Sequence, residues 1–90
     1  MNDLNSVVIT GKAVADWTKG DYMFVIVHKC WHEDGRMQEK IIAVPVYFKG
    51  ENLLKTARTI KDGDQVRVVG KLDFYKFFLF IDADQVEIKL

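Results

Sequence analysis

The stretch His28-Lys29-Cys30-Trp31-His32-Glu33-Asp34 holds the side chains with the widest choice of chemistry. On a regular strand His28, Cys30 and His32 share one face, and Asp34 continues the series. Imidazole and thiolate are ligands for zinc or copper. Structural zinc sites, however, usually join two separate turns, and the chain has one Cys and two His in all. We therefore expect no metal and no other cofactor. Cys30 has no recognisable base and orienting group for nucleophilic catalysis. No phosphate-cradling Gly loop, paired-carboxylate site or Ser-His-Asp set stands out either. The expectation is a binding protein, not an enzyme. Trp31 is the other notable group: between Lys29 and the polar pair His32-Glu33, a Trp at a hairpin rim has little core to fill.

The elements that must hold these groups are mostly strands. Residues 6–14 are rich in β-branched types and interrupted by Gly11, which reads as a strand with a bend. Thr18-Lys19-Gly20-Asp21 is a turn, and residues 22–31 form a second strand, apolar on both faces as far as Val27. Asp34-Gly35 is a hairpin signature, because the turn needs positive φ. Residues 37–48 return as a third strand. Pro45 lies inside it and cannot donate to a ladder, so it should face an unpaired edge or a bulge. Residues 49–60 are the one plausible helix, with Leu53, Leu54, Ala57 and Ile60 on one stripe. Asn52 or Gly50 could cap its start, and Gly63 stands near its end. Residues 65–72 and 77–88 are a fourth and a fifth strand, joined by a short segment. Five strands with a helix between the third and fourth is the order of an all-β OB-fold barrel, and 90 residues make one domain.

Thirteen basic and thirteen acidic residues cancel, which counts against a polyanion partner, although distribution matters more than the sum. No apolar run is long enough to span a membrane. The first residues lack a signal-peptide layout, and the single Cys fits a reducing compartment, so a cytoplasmic location is expected. Apolar residues are 49% of the chain, high for so small a domain. The first two strands carry them on both faces (Val7, Val8, Ile9; Met23, Phe24, Val25, Ile26, Val27), whereas a barrel interior accepts one face only. Some of that surface should be covered by another subunit.

Four stretches resemble the bacterial single-stranded DNA-binding protein family, in the family's order. They are Asn5-Ser6-Val7-Val8-Ile9-Thr10-Gly11-Lys12, then His28-Lys29-Cys30-Trp31, then Val46-Tyr47-Phe48-Lys49-Gly50 followed by Leu53-Leu54 and Ala57. The fourth and most specific is Lys61-Asp62-Gly63-Asp64-Gln65-Val66-Arg67-Val68-Val69-Gly70-Lys71-Leu72. The chain departs from the family in three ways. Ile42 and Ala43 stand where the family has Trp and His, the loop between the last two strands is short, and an acidic, apolar-tipped tail for recruiting replication or repair proteins is not expected.

The resemblance implies sequence-independent binding of single-stranded DNA in replication, recombination or repair, by a homotetramer or, second, a dimer. It implies that Trp31, Phe48 and Phe77 stack bases. Tyr47, Phe74 and Tyr75 lie on or beside the same elements, and Phe24, Phe78 and Phe80 read as core because they alternate within apolar strands. Trp17 is open between binding and packing. Lys12, Lys29, Arg36, Lys40, Lys49, Lys71 and Lys76 flank the aromatics and could follow a phosphate backbone. The alternative is an OB-fold protein-interaction module, such as a primosomal adaptor, which neutral charge and the absent tail favour.

Overall fold

The computed structural model describes residues 6–89; Asn5, the first residue of the opening stretch quoted above, lies outside them. The elements are β1 (Val7–Val14), β2 (Tyr22–Glu33), β3 (Arg36–Phe48), α1 (Glu51–Ala57), β4 (Gln65–Tyr75) and β5 (Phe78–Lys89). The strands close a barrel in the order β1-β2-β3-β5-β4, antiparallel except for β3 against β5. This is the OB-fold arrangement expected from the order of elements.

Pleat alternation decides which residues build the interior. Ala13, Met23, Val25, Val46, Phe48, Val66, Val68, Ile81 and Ala83 point inward and are buried. Ala57, the last residue of α1, and Ile60 just beyond it join the same core. Closure requires β1 to leave β4 and join β2 near Lys12, which pairs with both Gln65 and Ile26. Gly11 sits at this crossing, where an added Cβ would meet the Ile26 carbonyl oxygen. Asp34 and Gly35 both have positive φ, as a two-residue primed turn demands. The register of β3 with β5 begins at Val46, one residue after Pro45, so the missing N–H costs no rung on that edge.

The helix is shorter than the stripe of apolar residues suggests. Gly50, at φ 91°, holds the chain out of helical conformation until Glu51. After Ala57 the bonds become i→i+3, from Thr59 N–H to the Thr56 carbonyl and from Ile60 N–H to the Ala57 carbonyl. Gly63 does not end the helix. At φ 94° it makes the turn into β4, donating its N–H to the Ala13 carbonyl.

Both long hairpins outrun the barrel. β2 pairs with β1 only from Phe24 to Ile26, and β3 with β5 only from Val46 to Phe48. Beyond those rungs, β2 and β3 continue as a two-stranded arm to the Asp34-Gly35 turn. β4 and β5 form a second arm past Gly70, where pairing with β1 stops. The fourth strand therefore runs to Tyr75, three residues further than expected. The turn is Lys76-Phe77, with Lys76 at φ 57°. β2 and β4 run the same way, both antiparallel to β1, so the two arms leave the same end of the barrel.

Candidate nucleic-acid interface

The outward pleat face is where the aromatics collect. On β2, Tyr22 and Phe24 alternate with buried Met23 and Val25; on β3, Pro45 and Tyr47 alternate with buried Val46 and Phe48. The register sets Tyr22 opposite Tyr47, and Phe24 opposite Pro45. The β4–β5 arm adds Tyr75 directly across from Phe78, and Phe80 two residues further along β5. These side chains, with Lys49, line a groove of about 570 Å³. A smaller hollow of about 120 Å³ shares Tyr22 and Phe24 and carries the groove on to Val14, Asp16 and Lys19.

The floor of the groove is preorganised by ring-on-ring packing. Tyr22 and Tyr47 stack with centroids 5.1 Å apart; Tyr22 meets Phe24 edge-on at 5.9 Å, and Tyr47 meets Phe80 edge-on at 5.0 Å. Such contacts hold rings in place at little entropic cost when something flat arrives. The rim is looser: Phe78 is 70% exposed and Tyr75 67%. Lys76 Nζ stands 5.5 Å from the centre of the Tyr75 ring. Lys49 Nζ lies 3.6 Å from Asp82 Oδ2. At the far end the Thr18 hydroxyl and backbone N–H donate to Asp16 Oδ1, and hold its carboxyl below the usual carboxylate range.

Several expectations change here. Phe48 is 3% exposed and packs edge-on against Trp17 at 5.9 Å; it is a core residue with no face to offer a base. The outward ring is its neighbour Tyr47, since one step along a strand reverses the face. Phe24, Phe78 and Phe80 go the other way, from expected core to groove lining. Trp17 packs against the core, donating its indole N–H to the Ile60 carbonyl at 3.0 Å. Tyr22 was not singled out in the sequence. Its signal is the alternation of Tyr22 and Phe24 with Met23 and Val25.

Tyr47, Tyr75 and Lys49 do line the groove. Lys71 is exposed across the ladder from Asp82, on the groove side. Phe77 projects from the tip of the turn, 98% exposed, and Phe74 opposite Leu79 is on the arm's other pleat face. Lys12 is exposed on the outer wall of β1, beside Ile26.

Trp31 belongs to the β2–β3 arm, not to the groove. It is 37% exposed, and its indole N–H donates to Glu33 Oε2 at 3.2 Å. Trp31 faces Gln38 across the ladder; two rungs toward the barrel Lys29 is opposite Lys40, and two rungs outward Glu33 is opposite Arg36. By alternation these side chains share one pleat face. The other face carries His28, Cys30 and His32. His28 pairs with Glu39 there, and among the described residues no group of three or more His, Cys, Asp or Glu could hold a metal ion. No helix among them is long and apolar enough to cross a membrane.

No protein-family model and no curated protein matches the sequence. Solved structures do match the fold. A Plasmodium falciparum SSB in complex with ssDNA has a TM-score of 0.75 at 13% identity, covering 99% of this chain and 96% of that one. A small single-stranded DNA-binding protein from Streptomyces coelicolor has a TM-score of 0.67 at 16% identity, covering 100% and 96%. The protein PriB from Ralstonia solanacearum has a TM-score of 0.72 at 13% identity, covering 96% and 98%. Each likeness spans the whole barrel, and the chain shares its fold with all three.

Proposed function

We propose that the chain binds single-stranded DNA, without catalysis and without strong sequence preference, by stacking bases in the groove between β2–β3 and β5. The observation that carries this reading is the concentration of rings on the outer wall of the barrel: Tyr22, Phe24, Tyr47, Tyr75, Phe78 and Phe80 converge on one groove. Such rings have no core to fill. Every base has a π face, so a row of rings accepts any sequence. Lys49 at the groove, with Lys71 and Lys76 on the adjoining arm, supplies charge for phosphates. A structural neighbour that carries single-stranded DNA supports the same ligand.

The proposal includes replication, recombination or repair in a bacterial cytoplasm as the setting, and a homotetramer, or else a dimer, as the working form. Val8 and Val14 are exposed on β1 and favour assembly. A second reading, an interaction module of the primosomal-adaptor kind, is favoured by the bare Phe74–Leu79 rung on the arm's other face and by Phe77 at its tip, apolar surface outside the groove lining. Titration with oligo-dT, followed by intrinsic fluorescence, separates them. Saturable binding at micromolar concentration, with quenching, is expected. No binding even at low salt would reject the DNA reading and leave the interaction module.

A further inference from the structure

We propose that Asp82 is a built-in competitor for the DNA phosphates, which holds the groove's affinity down and makes its binding less salt-dependent than its lysines alone would give. The inference rests on the single-strand reading above and concerns the regulation of that site. Asp82 lies on β5 between the buried residues Ile81 and Ala83, so it points outward on the same pleat face as Phe78 and Phe80. The registers put it beside Tyr47 on one side and Lys71 on the other. Its carboxylate is thus set among the groove's rings and cations, and its side chain is 31% exposed against 69% for Lys49.

The consequence is electrostatic. Among the described residues Lys49 is the one cation that lines the groove, and at 3.6 Å from Asp82 its charge is already matched. A phosphate that approaches Lys49 must either displace the carboxylate or bear its repulsion. Lys71 has no ion-pair partner among the described residues, and it stands directly across the ladder from Asp82, on the same pleat face. Near a surface such a pair is weak, so the carboxylate lowers affinity without closing the site. A single-strand binder that must give up its ligand gains faster release from this arrangement.

The test is Asp82→Asn, which keeps shape and removes charge. Asp84→Asn, the same charge change on an exposed β5 residue in no ion pair among those described, is the control. Oligo-dT affinity is measured against salt for the parent and both variants, with thermal melts alongside. Asp82→Asn should bind about three- to tenfold tighter at low salt, and its log–log salt slope should steepen by about 0.7, one more single-strand phosphate contacted. In a Lys49→Ala background most of that gain should vanish. Unchanged or weaker binding by Asp82→Asn would overturn the inference, and so would an equal gain from Asp84→Asn, which would show a net-charge effect. A parent that does not bind at any salt would sink the single-strand reading itself.

Discussion

Under the proposed function, the groove and the β2–β3 arm divide between them the two things that single-strand binding needs. Among the described residues the groove has six rings and one lining cation, and that cation is already paired with Asp82. The arm has one ring, Trp31, and beside it two lysines set directly opposite each other, Lys29 and Lys40, with no acidic partner for either among the described residues. Like charges on one rung repel and weaken the pairing. An anion laid across them would relieve that cost. A chain of zero formal net charge can therefore still present a polyanion with a favourable path. Stacking is concentrated where charge is neutralised, and bare charge where rings are scarce.

The sharpest way to break this comparison is to strip the groove's rim. Tyr75→Ala combined with Phe78→Ala removes one aromatic rung from the outer face. Both rings are mostly in solvent, so the melting temperature should hardly move. Together the two rings form one platform for one base, and one lost stack is worth roughly 1–3 kcal/mol, so affinity for oligo-dT should fall about fivefold to about 150-fold. The salt slope should stay as it is. A large fall in melting temperature would instead make these rings structural.

The arm should respond more weakly and with a different signature. Trp31→Ala is expected to cost about fivefold in affinity, near the low end for one stack, and still more than either Lys29→Ala or Lys40→Ala alone. Changing both lysines together should flatten the log–log salt slope by about 0.7 for each phosphate they hold. If Trp31→Ala costs more than the groove pair, the division of labour argued above is reversed. If the lysine pair leaves the slope unchanged, the arm does not touch the backbone.

The order of elements was legible because it depends on local chemistry. Asp34-Gly35 tolerates positive φ, Gly11 permits a close crossing, and the β-branched runs need a sheet. Inside and outside were less legible, for a physical reason. Sequence separates the two faces of a strand when one is polar, but the outer wall of this barrel is aromatic. Phe24 beside Val25, Tyr47 beside Phe48, and Phe78 and Phe80 around Leu79 each look apolar on both sides. Phe48 was thus expected at the site and Phe78 in the core, whereas register reverses both. The arms were missed for a related reason. Residues 73–75 are polar and aromatic enough to read as a connection, and only the pairing of Asp73 with Phe80 and Tyr75 with Phe78 makes them strand.

The claim that most needs a direct answer is that bases stack in the barrel-wall groove. Ultraviolet cross-linking of the unmodified chain to an oligo-dT carrying 5-iodouracil, followed by mass spectrometry of the digested complex, reads the contact residue by residue. Cross-links should fall chiefly on Tyr47, Tyr75, Phe78 or Phe80, with Trp31 a minor product. Cross-links confined to Trp31, with none on the groove rings, would contradict the account.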